Sequence, residues 1–143
     1  MVTMRLEIIT AERRVYSDDV EVLVAPGIDG ELGILPHHAP LMTALQPGEI
    51  MIRKGGQETY LAVTGGFLEV MANQVTILAD AAERSEEIDE QRAQEAIRRA
   101  QEQLARRGAD LDLERAAASL RRAETRLRVA RRRRGPDRPP PQG

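Results

Sequence analysis

The sequence predicts an α+β chain: a mostly β module followed by a pair of helices. Three observations carry this. From Met4 to about Asp80 the apolar residues recur with period two. After Ala82 the period shifts to about 3.6. Glycine and proline punctuate the middle of this part, and several short strands recur at roughly ten-residue spacing, as in a sandwich or flattened barrel.

Each element has its own signal. "MRLEII" puts Met4, Leu6 and Ile8 on one face, and "DVEVLVA" puts Val20, Val22 and Val24 on one face. "EIMIRK" and "ETYLAV" flank Gly55-Gly56, a tight-hairpin signal, and "FLEVM" and "VTILA" flank "ANQ" as a second hairpin. The only aromatics are Tyr16, Tyr60 and Phe67, so the core must consist mostly of Val, Ile, Leu and Met. Ala93, Ile97, Ala100 and Leu104 make an apolar stripe on one helix. Leu113, Ala116, Leu120, Ala123 and Leu127 make one on a second. Between them, "RRGADLD" offers Gly108 to close the first helix and Asp110 or Asp112 to cap the second. So short a connection makes the helices antiparallel neighbours. Their alanine-rich seam allows close approach but buries little area. At roughly 25 cal/mol per Å² the hairpin is weakly held by itself. The sequence thus divides into a β module over 1–84, a helical hairpin over 85–131 and a basic, proline-rich tail over 132–143, expected to be disordered.

Composition narrows the chemistry. The 143 residues include no cysteine, which excludes disulfides, thiolate nucleophiles and Cys-ligated zinc. The start has no basic region followed by an apolar run and cleavage site, and no segment reaches the ~18 apolar residues of a membrane span. A cytoplasmic-side protein is the expectation. Residues 1–90 carry 6 basic and 16 acidic side chains and residues 91–143 carry 15 and 7, so −10 and +8 combine to the net −2. Two modules of opposite sign suggest different partners. The basic residues are 20 Arg and one Lys; anion recognition or a GC-rich genome accounts for that bias.

Four segments, "DGELGILPHHAPLMTAL", "TGGFLEV", "VTILADAAERSEEID" and the helical hairpin after them, resemble the epsilon subunit of bacterial F-type ATP synthase over roughly residues 3–130. The resemblance implies an N-terminal ten-stranded β-sandwich and a C-terminal antiparallel αα-hairpin. It implies a non-catalytic subunit of the proton-transporting complex, peripheral on the cytoplasmic face of the bacterial cell membrane and touching the membrane only indirectly. The implied place is the rotor stalk, bound to the gamma subunit and the c-ring, with the basic hairpin reaching the catalytic alpha/beta subunits. Asp29, Gly30 and Glu31 would face the c-ring and His38 would lie near gamma. Several family members carry an ATP-binding motif, Ile or Leu followed by Asp-x-x-Arg-Ala. It is complete here as Ile88-Asp89-Glu90-Gln91-Arg92-Ala93. Glu83, Arg99, Arg122 and Arg126 occupy other positions of that site. ATP would be a regulatory ligand, with no cofactor.

Spacing bears on the same residues independently. Asp89, Arg92 and Arg99 share one flank of the first helix. With the turn near Ala109, Arg92 falls opposite Arg126 and Arg122 within a turn of Arg99. Each pair of guanidiniums ~8 Å apart in water repels by about 0.5 kcal/mol. A polyphosphate reverses that sign. No glycine loop of the Walker type is present, so phosphates would be held by side chains. The plainer reading is also open: Asp89 as a helix N-cap and the arginines as a solvated face. His37 and His38 point to opposite faces in extended chain and make no metal set. A nucleic-acid role lacks aromatics in the basic region to stack bases. No nucleophile–base pair stands out. The expected function is a stalk coupling subunit whose mobile hairpin inhibits ATP hydrolysis. The alternative is a structural adaptor with a fixed hairpin and no nucleotide.

Overall fold

The computed structural model describes residues 2–105 and 110–132, without the side chains of 110–113. The tail from 133 on and the inter-helix turn with Gly108 lie outside the described residues, as does the expectation of a disordered tail. The chain forms two compact units, Met1–Arg84 and Ser85–Gly143.

The first unit holds ten strands: β1 Met4–Ile9, β2 Arg14–Val20, β3 Val22–Gly27, β4 Gly30–Ile34, β5 Leu41–Leu45, β6 Gly48–Lys54, β7 Gln57–Val63, β8 Gly66–Met71, β9 Gln74–Ala79 and β10 Ala82–Arg84. The strand order is β10-β7-β6-β3-β5-β8-β9-β1-β2, with β4 paired to β3 alone. Neighbours are antiparallel except β1 and β9, which run parallel. That pairing inserts the first strand between late and early ones and anchors the start of the chain.

The two ends of the strand order meet. Arg84 of β10 donates through Nε and Nη2 to the Val15 carbonyl of β2, at 3.1 and 2.8 Å. Its guanidinium also stands 5.3 Å from the Tyr16 ring centroid, in cation–π range. One side chain thus satisfies an edge acceptor and screens an aromatic ring. At the other end of β2, Lys54 donates to Asp18 at 2.7 Å and the Gly55 amide donates to Glu21 at 2.7 Å. Inside this curled sheet sits a core of Met4, Leu6, Ile8, Leu23, Ile50, Leu61, Leu68 and Ile77, all nearly or fully inaccessible.

The period-two reading holds for β1, where Met4, Leu6 and Ile8 all face the core. It fails for "DVEVLVA". Val20 is buried at the end of β2, but Leu23, Ala25 and Gly27 are the buried residues of β3 while Val22 and Val24 are half-buried on its other face. The chain bends at Glu21, between the two strands. A bend inside an apparently continuous alternation shifts the inward parity by one.

Both predicted hairpins form. Gly55 and Gly56 have φ of 57° and 78°, as a two-residue primed turn requires. The second turn is made by Ala72 and Asn73, at φ 51° and 61°. Asn73 also braces the fold: its Oδ1 accepts from the His37 amide at 2.8 Å and its Nδ2 donates to the Thr3 carbonyl at 3.0 Å. Gly66 has φ 136°, and a Cβ there would sit 2.1 Å from the Leu78 carbonyl oxygen, so β8 meets β9 at a backbone approach only glycine permits.

The second unit opens with a 3-10 turn, Ser85–Glu87, followed by α1 Glu90–Ala105 and α2 Asp110–Arg132. The two helices pack on one another and the 3-10 turn packs on α2. Ala93 and Ala100 are buried on α1, and Ala116 and Ala123 on α2, as their spacing predicts. Thr125, Val129 and Ala130 are buried too, so the covered surface of α2 is wider than one stripe.

Two outcomes follow for the β unit. Asn73→Ala removes both braces and a residue suited to left-handed backbone, and should cost about 2 kcal/mol. Ala72→Gly should stabilise by about 1 kcal/mol. Urea denaturation followed by tyrosine fluorescence reads both, since Tyr16 and Tyr60 lie in this unit. The second outcome concerns pH. The hydrogen bond from Lys54 holds Asp18 below its usual carboxylate range, and the same bond holds Lys54 above its usual ammonium range. The pair's contribution is therefore lost as pH falls through the lowered Asp18 value, or rises through the raised Lys54 value. Lys54→Met should reduce stability slightly at neutral pH and leave it unchanged in acid below that value, as pH-dependent denaturation midpoints would show.

Candidate functional site

The start of α1 is the best-defined polar corner of the helical unit. The Asp89 carbonyl accepts the first helical hydrogen bond, from the Ala93 amide at 3.0 Å. The Asp89 side chain accepts from the Arg92 amide at 3.1 Å. Asp89 is thus the N-cap, bonded to the amide three residues on. Its other oxygen lies 3.8 Å from Arg92 Nε, in an ion pair whose side chains are 55% and 82% exposed. A contact so open to water contributes little to stability. Ile88, just before the cap, is buried, and its amide donates to the Ser85 carbonyl at 3.3 Å. The apolar side chain anchors the 3-10 turn and leaves Asp89 at its exposed end.

Helical periodicity arranges the arginines. Around α1, Arg92 and Arg99 fall on one side of the buried Ala93–Ala100 line, and Ile97 and Gln101 on the other. Around α2, Arg122 and Arg126 fall on one side of the Ala116–Ala123 line, and Glu124, Leu127 and Arg131 on the other. Because the helices are antiparallel, Arg92 and Arg99 share a flank with Arg122 and Arg126. Arg99 and Arg122 are exposed and Arg126 is half-buried. Arg122 Nη2 donates to Ser119 Oγ at 3.1 Å, one turn back on the same helix. Glu83 lies half-buried in β10, in the first unit, opposite Ala62 of β7.

The remaining predicted positions cluster on two turns of the β unit. Ile28 and Asp29 form the two-residue tip between β3 and β4, with Gly27 paired to Gly30. Asp29, Gly30 and Glu31 are all exposed. In "LPHH" the His38 amide donates to the Leu35 carbonyl at 3.2 Å, and His37 takes φ 64°. With Pro36 before it, this is a type II turn with a histidine at the position glycine usually fills. His38 Nδ1 lies 2.7 Å from the Ala39 carbonyl. The two histidines therefore shape a loop. Among the described residues no three metal-binding side chains gather.

One surface was not singled out from the sequence. On the outward face, Ala44, Phe67, Leu78 and Ile9 stand side by side across β5, β8, β9 and β1. Phe67 is 60% exposed and Met42, on the same face, 69%. Ile28 adjoins this row, its amide donating to the Ala44 carbonyl at 3.0 Å. Exposed large apolar side chains standing together in this way are unusual on a protein surface. Alternation alone could have indicated it: Phe67 and Leu78 occupy outward positions if Leu68 and Ile77 point inward.

Residues 3–85 match the family "ATP synthase, Delta/Epsilon chain, beta-sandwich domain" and residues 86–131 match "ATP synthase, Delta/Epsilon chain, long alpha-helix domain". The chain belongs to the ATP synthase epsilon chain family. The epsilon chain of Dehalococcoides mccartyi (strain CBDB1) is 59% identical over 101 residues, covering 71% of this chain and 72% of that one. The epsilon chain of Herpetosiphon aurantiacus is 51% identical over 131 residues, or 92% of this chain and 96% of that one. The fold matches a chain of the Euglena gracilis mitochondrial ATP synthase OSCP/F1/c-ring structure at a TM-score of 0.77. That match has 21% identity and covers 87% of this chain and 79% of the other. A chain from the Tetrahymena thermophila mitochondrial central stalk/c-ring structure matches at 0.60, with 16% identity, over 89% and 96% of the two chains. No helix among the described residues is long and apolar enough to cross a membrane.

The capping geometry gives a direct outcome. Asp89→Ala should destabilise α1 by about 1 kcal/mol through loss of the cap, whereas Asp89→Asn should retain most of it. Helical circular dichroism during thermal unfolding distinguishes the two.

Proposed function

We propose that this epsilon-family chain is a non-catalytic rotor-stalk subunit whose hairpin is a nucleotide-biased brake on ATP hydrolysis. The β unit joins the gamma subunit to the c-ring, so that c-ring rotation reaches the catalytic head. The exposed Phe67–Leu78 row is suited to a protein partner, and the acidic tip at Asp29 and Glu31 to a polar loop of the c-ring. The solved chains of similar fold come from c-ring and central-stalk assemblies, which fits this placement. The hairpin has two arrangements. Folded, it lets rotation proceed; extended along gamma, it sets its arginines against acidic surface of the catalytic subunits.

The observation that carries the nucleotide reading is the shared flank of Arg92, Arg99, Arg122 and Arg126 beside the Asp89 cap. Four cations along one seam repel one another, and phosphate oxygens matched to guanidinium forks turn that cost into attraction. Ile88 and Ala93 supply the apolar backing of the same corner, and Asp89 is an acceptor for a base or ribose. ATP biases the hairpin only by binding the folded arrangement more tightly. Moving the balance from 1:99 to 99:1 takes a preference of about 5.5 kcal/mol.

A specific observation favours the fixed-adaptor alternative. The Asp89 carboxylate is already engaged within the helix as an ordinary N-cap, accepting from the Arg92 amide at 3.1 Å.

Calorimetric titration of the full chain with ATP decides between them. Arg92→Ala should weaken binding about tenfold or more, the loss of a charged hydrogen bond. Arg122→Ala with Arg126→Ala should weaken ATP binding and also relax inhibition of the assembled enzyme. No heat, or heat unchanged by Arg92→Ala, rejects the nucleotide reading. Amide exchange over residues 85–130 that is the same with and without ATP identifies the fixed adaptor.

A further inference from the structure

The first turn of α1 explains most of the Ile88-Asp89-Glu90-Gln91-Arg92-Ala93 pattern without a ligand. With Asp89 as the N-cap, Ile88 stands one residue before the cap and Ala93 four residues after it. These are the two positions of a hydrophobic staple, an apolar pair that fixes the angle at which the chain enters a helix. Both are buried, at 2% and 0% exposure. Arg92 keeps its side chain 82% exposed. A side chain as buried as Ile88 faces the protein, whereas Arg92 faces water.

The staple is also tied to the other helix. The Ile88 amide donates to the Ser85 carbonyl at 3.3 Å, which joins Ile88 to the 3-10 turn Ser85–Glu87. That turn packs on α2. Ser85, although polar, is only 2% exposed. Ala93 and Ala100 on α1 and Ala116 and Ala123 on α2 mark the antiparallel seam. Continued back past Ala93, the same register brings residues 85–88 alongside the last turns of α2. There α2 buries Thr125, Val129 and Ala130, a wider surface than its alanine stripe.

We propose that Ile88 is a positioning residue: from its buried place before the cap it clasps the C-terminal half of α2 to the start of α1. The alanine seam contributes little buried area, so one large aliphatic side chain at its end is a sizeable part of what holds the second helix. The clasp also bears on ligand binding, and this half of the proposal rests on the nucleotide reading above. Arg92 lies in the stapled turn, and Arg126 lies on α2 between the buried Ala123 and Val129. Ile88 therefore sets the spacing of arginines that come from two different helices. Its effect on a polyphosphate is exerted through Arg92 and Arg126, not by contact.

The test is amide hydrogen exchange of the full chain carrying Ile88→Ala, Ile88→Val or Ile88→Leu, at a temperature where helical circular dichroism matches the parent. Ile88→Ala should speed exchange at residues 123–130 tenfold or more. Ile88→Val should do so by a smaller factor, and it carries the comparison if Ile88→Ala lacks helix. Ile88→Leu keeps the side-chain volume and should change little. Residues 97–104, at the far end of α1, should respond less than 123–130. Unchanged exchange at 123–130 overturns the clasp. Equal acceleration throughout both helices means a general loss of stability and overturns it as well. Calorimetric titration of the same variants with ATP reads the second half: affinity should fall in the order in which exchange rises, tenfold or more for Ile88→Ala. Faster exchange with unchanged ATP affinity overturns the positioning role. Weaker ATP binding with unchanged exchange means that Ile88 meets the ligand itself, and the proposal falls. If the parent chain binds no ATP, the nucleotide reading alone fails, and the exchange data still decide whether Ile88 clasps α2.

Discussion

The β unit depends on closing its own edges. A sheet of short strands with a mostly aliphatic core must leave few backbone groups unpaired, because Tyr16 and Tyr60 are the only aromatic side chains that add to its burial. The parallel insertion of β1 beside β9 removes one edge, and the Arg84 bridge to Val15 joins the remaining ends. Arginine suits this position. Its fork donates twice to one carbonyl while its planar face lies over Tyr16, and the lysine point charge does neither. Burial pushes the Tyr16 hydroxyl above its ordinary value, with the nearby Asp18 charge adding to the effect. The ring therefore stays neutral as part of the closure. Asn73 secures the same region from the other side by tying the β8–β9 turn to the start of β1 and to the histidine loop. The three turns and strands so joined are the scaffold on which the apolar Phe67–Leu78 row is displayed.

The helical unit is built on the opposite principle. Its seam is alanine, which brings helices close and contributes little burial per residue. Its flanks are rich in arginine, which long stems carry out to water. A pair of helices joined in this way draws little of its stability from the seam itself. If the hairpin is biased by a nucleotide as proposed above, a weak seam makes the binding energy at that flank a sizeable share of the total. A leucine-rich seam would hold the hairpin regardless of ligand.

Much of this was legible in the sequence, and the exceptions have identifiable causes. The Gly55-Gly56 turn was readable because glycine is the residue that primed turns favour. The Ala72-Asn73 turn was readable as a hairpin, but not the role of Asn73, because its partners at Thr3 and His37 are distant in sequence. The face of Val22 and Val24 was misread because the bend at Glu21 leaves no mark in the hydrophobic pattern. The alanine stripes were readable from period alone, whereas burial of Thr125 and Val129 was not, since a second covered face falls outside one stripe. For the candidate site, the flank shared by four arginines followed from spacing on antiparallel helices. The outward Phe67–Leu78 row escaped because alternation was read only for the inward face of β8 and β9.

The Asp89–Arg92 pair links these two levels. As a cap, Asp89 must keep one oxygen on the Arg92 amide, which fixes where α1 begins. Its second oxygen meets the Arg92 side chain at 3.8 Å, a separation beyond that of a short charge-assisted hydrogen bond. Exposed pairs of this kind contribute about 0–1 kcal/mol. The guanidinium can therefore turn to a better acceptor at little cost, while the cap and the helix stay as they are. Structural and ligand-binding roles for this motif are thus compatible: the backbone-facing oxygen does the first, and the weakly held arginine is available for the second.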